Sequence, residues 1–198
     1  MIRLRNVLAV AAIAAIATPL SAQDRGVILK VMGGGYSHTM NLNTGPDFAH
    51  FKAGIALNAG LGIQANKYLA LMGDFTFSQT RGLGDVSFVN DLVYRYYYGA
   101  QLQLRYPLGK GGGLAPYIFG GGGRVHVDQK GIETVENFQH FTRNAGLFGA
   151  GFTWAVPRTH VALLAEGKGM YYKWVAAPFN RNQFDISYSV GVSYRIGF

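Results

Sequence analysis

From Gly26 onward, apolar and polar residues alternate with a period of two along most of the chain. The last fifteen residues show it best. Phe184, Ile186, Tyr188, Val190, Val192, Tyr194, Ile196 and Phe198 fall on one face, and Asp185, Ser187, Ser189, Gly191, Ser193, Arg195 and Gly197 on the other. Successive side chains of a strand point to opposite sides, so one face here is bulky and oily and the other small and polar. The run exceeds the roughly 9–11 residues with which a tilted strand crosses a bilayer. The same period predicts eight strands, over 27–36, 51–63, 68–78, 92–106, 115–127, 145–156, 161–172 and 184–198. The segment 92–106 is the next clearest, with Tyr94, Tyr96, Tyr98, Leu102 and Leu104 opposing Arg95, Tyr97, Gly99, Gln101 and Gln103.

The connections alternate between tight turns and longer polar stretches at about 38–50, 79–91, 128–144 and 173–183. Short turns on one side and long loops on the other are the pattern of outer-membrane barrels. The expected fold is all-β: a transmembrane, eight-stranded, antiparallel up-and-down barrel, with both ends of the chain on the side of the short turns.

A soluble eight-stranded barrel shares this period but turns its apolar residues inward. Volume separates the two, because eight strands enclose a space just wide enough for side chains. The Tyr, Phe and Leu faces would overfill it, whereas the Gly, Ala, Ser and Thr faces fit. Charge agrees. The small face carries Lys30, Lys52, Arg95, Arg105, Arg124, Lys168 and Arg195 together with Asp74, Glu166 and Asp185. A basic residue facing lipid at mid-bilayer costs about 2–4 kcal/mol. The ten are therefore expected to form a structural charge network in the lumen, since buried charges need partners. In it Asp74, Glu166 and Asp185 each bridge basic residues of neighbouring strands, with water, His126 and tyrosine hydroxyls sharing the space.

Composition supports a lipid-facing exterior. Only 14% of the 198 residues are charged, and 49% are apolar, against roughly 25% charged in ordinary soluble domains. No stretch is long and apolar enough for a spanning helix. Residues 1–22 read as a cleavable signal peptide, with Arg3 and Arg5, an apolar core from Val7 to Ala17, and Leu20-Ser21-Ala22 before the cut; cleavage after Ala17 is the alternative. The barrel domain then spans 23–198. The net charge of +8 falls to sixteen basic against ten acidic residues without Arg3 and Arg5, and no basic run of five occurs. A nucleic-acid partner is not expected.

Aromatics gather near strand ends, as interfacial girdles require. Tyr68, Tyr106, Tyr117, Trp154, Tyr194 and Phe198 lie towards the short turns, and Tyr36, Phe51, Phe77, Trp174 and Phe184 towards the loops. With these strands and the terminal Tyr194-Arg195-Ile196-Gly197-Phe198, the chain resembles small outer-membrane β-barrel proteins of the OmpA/OmpX type. Val192, Tyr194, Ile196 and Phe198 are similar to the carboxy-terminal signal read by the barrel-assembly machinery. The resemblance implies residence in the bacterial outer membrane, contact with its lipids and lipopolysaccharide, and a monomer.

Chemical motifs carry little. Gly60-Leu61-Gly62-Ile63-Gln64-Ala65 fits G-x-G-x-x-A but leads into a strand, where a dinucleotide site needs a helix. The five histidines lack metal-ligand spacing. Some such barrels are lipid A-modifying enzymes with a Ser–His pair; Ser37-His38 and His140-Phe141-Thr142 are the candidates here, and neither supplies nucleophile, base and orienter together. No catalytic residue, metal or cofactor is expected. The sequence points to a non-enzymatic barrel with a plugged polar lumen that serves envelope integrity or surface contact. The alternative is a narrow pore or hydrophobic-solute channel of the OmpW kind.

Overall fold

The computed structural model describes residues 25–39, 50–83, 92–108, 113–130, 140–174 and 181–197. Its strands are β1 (Gly26–His38), β2 (His50–Phe51), β3 (Gly54–Asn66), β4 (Leu69–Leu83), β5 (Leu92–Arg105), β6 (Leu114–Lys130), β7 (His140–Ala155), β8 (Val161–Trp174) and β9 (Arg181–Gly197). Apart from β2, each pairs antiparallel with its neighbours in the chain, and β1 pairs with β9, so the sheet closes on itself. Eight long strands make the barrel; the two-residue β2 adds only to the far end of β4. The expected signal peptide and Phe198 lie outside the described residues.

Alternation decides which way each strand faces. Leu29, Val31, Ile55, Leu57, Leu61, Ile63, Leu71, Phe75, Leu102 and Val190 are exposed on the outer wall, Val31 to 64% and Val190 to 66%. Between them, Lys30, Asn58, Gln64, Asp74, Thr76, Arg95, Gln101, Glu166, Lys168, Asp185 and Ser187 are buried inside. An exterior this apolar is stable only against hydrocarbon. At the seam, Val27, Leu29 and Val31 stand opposite Ile196, Tyr194 and Val192, which carries the outer band unbroken across the closure.

Strands run further towards the loops than the oily alternation does. β4 continues to Leu83, β6 to Lys130, and β7 begins at His140. There the backbone ladder persists while the sequence loses its alternation, and the inner face is filled by an apolar cluster that includes Val93, Val125, Val127 and Trp174. At the other end, Thr159 N donates to Val156 O at 3.2 Å around Pro157 and Arg158. Arg158 has φ of 64°, the third-position geometry of a type II turn.

The lumen is less uniformly small than its sequence suggests. Tyr36, Tyr117 and Trp174, expected in the girdles, are buried inside, with Tyr97, Phe119 and Tyr172. Space comes from glycines opposite them. Phe119 lies across from Gly149 and Tyr117 across from Gly151, and a Cβ at either glycine would run into the facing ring. Parity on β6 also differs from expectation. Tyr117, Phe119, Val125 and Val127 face inward, which sends Arg124 and His126 outward. Four consecutive glycines, 120–123, erase the alternation that would have phased them.

Candidate functional site

The inward charges of β1, β4 and β8 converge on the barrel axis. Lys30 Nζ lies 3.1 Å from Asp74 Oδ1 and 3.0 Å from Glu166 Oε2. Lys168 Nζ lies 2.6 Å from Asp74 Oδ2 and 3.5 Å from Glu166 Oε1. Two ammonium and two carboxylate groups thus alternate in a closed ring. Lys168 also donates to Asn58 Oδ1 and Thr76 Oγ1, each at 3.0 Å, and Tyr117 OH donates to Glu166 Oε2 at 2.9 Å. Burial of four ions is tolerable because each faces two opposite charges, and Asp74, Glu166 and Lys168 have further hydrogen bonds.

Small residues in register make room for the ring. Gly60 stands opposite both Lys30 and Asp74; Gly149 and Ser187 flank Lys168, and Gly151 and Ser189 flank Glu166. The sequence expects these acids to bridge neighbouring strands; instead Asp74 meets Lys168 across the lumen, Lys30 reaches both acids from two strands away, and Glu166 meets Lys168 on its own strand.

A second cluster lies nearer the loops. Asp185 meets His38 Nδ1, accepts from Tyr36 OH at 2.5 Å, and has Arg95 Nε at 4.0 Å. Arg95 donates to Tyr172 OH at 3.2 Å and Thr80 Oγ1 at 2.8 Å, with the rings of Tyr36 and Trp174 near its guanidinium. Periodicity alone assigns neither His38, Tyr36 nor Tyr172 to this cluster. The register that sets His38 opposite Asp185 brings them together, and strand pairing is what single-strand periodicity cannot supply.

Four of the ten expected lumenal residues stand elsewhere or otherwise. Lys52 is exposed in the break between β2 and β3, because inward alternation begins only at Gly54. Arg124 faces outward, opposite Tyr98 and Asn144. Its long side chain can reach the interface from there. Arg105 and Arg195 have inward parity but sit at the short-turn mouth, where no carboxylate among the described residues pairs with them. His126 bonds Thr142 Oγ1 at 2.9 Å, away from the ring.

Of the two candidate hydrolytic pairs, Thr142 Oγ1 meets His126 Nδ1 at 2.9 Å, and the His126 and His140 rings lie 6.3 Å apart. His38 is turned into the lumen against Asp185, while adjacent Ser37 points to the other face and donates to the His38 carbonyl at 3.5 Å. Among the described residues no group of three potential metal ligands occurs. Val192, Tyr194 and Ile196 lie exposed on the outer face of β9.

Comparison with known proteins agrees with this architecture. No curated protein matches the sequence. The Neisserial surface protein A structure superposes with a TM-score of 0.61 at 15% identity, covering 89% of this chain and 98% of that one. Ail, the attachment invasion locus protein of Yersinia pestis, solved with the heparin analogue sucrose octasulfate, gives 0.51 at 13% identity, over 87% and 98%. OprG of Pseudomonas aeruginosa gives 0.50 at 13%, over 91% and 100%. A family model described as the outer membrane protein beta-barrel domain matches residues 7–198. A closed antiparallel barrel with an oily wall and an ionised interior, matched by that model over nearly its whole length, belongs to the outer membrane protein β-barrel family and resides in the bacterial outer membrane.

Proposed function

We propose that the protein is a non-enzymatic barrel whose lumen is closed, serving envelope integrity or surface contact through its loops. The observation that carries this reading is the ring of Lys30, Asp74, Lys168 and Glu166. It joins opposite walls through contacts of 2.6–3.5 Å. A solute passing along the axis would have to part ion pairs that are almost wholly buried, which costs several kcal/mol. Surface contact gains some support from a structural neighbour named for attachment. Membrane lipids, lipopolysaccharide and the barrel-assembly machinery complete the expected partners, and the working unit is a monomer. Liposome swelling and planar-bilayer recording test the reading: no passage of small sugars and no steady conductance are expected, and rapid swelling would overturn it.

One observation favours a second reading. An apolar groove of about 950 Å³ crosses the outer wall where Gly33, Gly35, Ala165 and Gly167 omit side chains beside Tyr188 and Phe152. Such a groove suits sideways release of an apolar solute, the OmpW-like alternative. Uptake of a hydrophobic fluorophore by proteoliposomes, lost on Gly167→Leu, would favour it over the closed barrel.

A further inference from the structure

At the short-turn end the lumen opens into a vestibule of about 540 Å³. Four basic residues line it: Lys67 from the β3–β4 turn, Arg105 ending β5, His160 from the β7–β8 turn, and Arg195 on β9. No carboxylate among the described residues lines it. The contrast with the ring above is chemical. There every ammonium touches two carboxylates; here Lys67, Arg105 and Arg195 stand together with none among the described residues.

Arg105 is the fixed group. Its Nη1 donates to Gln64 Oε1 at 3.1 Å and its Nη2 to Thr153 Oγ1 at 3.2 Å, both neutral acceptors. Its Nε is buried and has no hydrogen-bond partner among the described residues. Arg195 bears on it as a like charge, and the Arg195 backbone is tied by its N–H to His160 O at 2.9 Å. Guanidinium groups gathered in a concavity repel one another unless an anion intervenes. A cleft of one sign between low-dielectric walls concentrates counter-charge, and guanidinium forks match the oxygens of phosphate in a bidentate manner. The hydroxyl of Ser193 lines the same space, and the volume falls in the ordinary range for small-molecule sites.

We propose that this vestibule binds a phosphate-class oxyanion, presented from the periplasmic side to Arg105 and Arg195. More than one positive group at the site favours a group carrying more than one negative charge over a simple carboxylate. The source is a soluble phosphate ester or the headgroup of an inner-leaflet anionic phospholipid, and both carry the same chemistry.

The test is calorimetric titration of the folded protein, in zwitterionic detergent at low salt, with inorganic pyrophosphate. One saturable site per chain is expected, weakened about tenfold by Arg195→Gln and at least as much by Arg105→Gln. Arg195 is exposed at the rim, so its variant keeps the test open should Arg105→Gln fail to fold. Arg143→Gln, on β7 near the opposite end, leaves binding unchanged. Repeating the titration in phosphatidylcholine discs with and without phosphatidylglycerol separates the sources. Suppression by phosphatidylglycerol identifies a headgroup as occupant, and equal binding identifies a soluble ester. Absence of saturable heat, an unaltered affinity in folded Arg195→Gln, or equal displacement by acetate would each overturn the proposal.

Discussion

Lys168 Nζ stands 2.6 Å from Asp74 Oδ2, although β8 and β4 lie on opposite sides of the barrel. The contact spans the full diameter. It exists because both side chains face inward, are long enough together to reach, and have Gly60, Gly99 and Gly149 beside them in register. A barrel that alternated bulky groups on both faces could not bring these atoms together. The ion pair and the glycines are therefore one feature seen twice: the small residues leave the volume that the charges fill.

Removing one member should be costly and removing a matched pair should not. Asp74→Ala leaves Lys30 and Lys168 with a single carboxylate between them. We expect a loss of about 3–5 kcal/mol in denaturant unfolding from detergent micelles. Asp74→Leu combined with Lys168→Met, which deletes both charges and keeps bulk, should recover most of that loss. If the double variant is as unstable as the single one, the ring holds the fold by some means other than charge balance.

The outer wall makes an independent prediction. Val190 is 66% exposed among other apolar residues, so Val190→Arg should lower stability in lipid vesicles by about 2–4 kcal/mol. Lys52 lies at the loop-side rim, and Lys52→Gln should change stability by less than about 0.5 kcal/mol. Equal effects at the two positions would contradict the assignment of faces.

Strand number, closure and the two faces of β3, β4, β5 and β9 are legible in the sequence because alternation there is strong, and on β1 and β8 the charges Lys30, Glu166 and Lys168 set the phase. What escapes is whatever depends on a partner strand. Lys30 and Glu166 are 136 positions apart with β9 between their strands, and no local pattern announces the match. The rule that charge turns inward places Arg124 in the lumen, yet its strand carries Tyr117, Phe119, Val125 and Val127 on the inner side. When both faces are apolar, a charge no longer sets the phase. Tyr36 and Trp174 mislead for a related reason: near a strand end, a ring can serve a girdle or fill the lumen. Only the space opposite decides.

Gly149 tests how tightly that inner space is held. A Cβ there would meet the Gly167 carbonyl and the Phe119 ring. Gly149→Val should therefore cost more than the roughly 1–3 kcal/mol typical of overpacking, since backbone as well as side chain must yield. Urea titration of the refolded variant, read by its heat-dependent gel shift, checks this. Phe119→Ala in the same chain should restore only part of the loss, because it frees the ring contact and not the carbonyl.

The two tryptophans report the faces directly. Trp154 is 61% exposed on the outer wall of β7, whereas Trp174 is 1% exposed inside, edge-on to Phe141 with ring centroids 4.8 Å apart. Contact quenching by bromine on lipid acyl chains needs the indole to touch lipid. In vesicles of brominated phospholipid, Trp174→Phe, which leaves only Trp154 emitting, should lose most of its fluorescence. Trp154→Phe, which leaves only Trp174, should keep most of it. Aqueous iodide discriminates poorly between them, since Trp154 lies in lipid and Trp174 is packed against protein. Strong lipid quenching of Trp174 would mean that β8 is turned the other way, and with it Glu166 and Lys168, which share its inward parity.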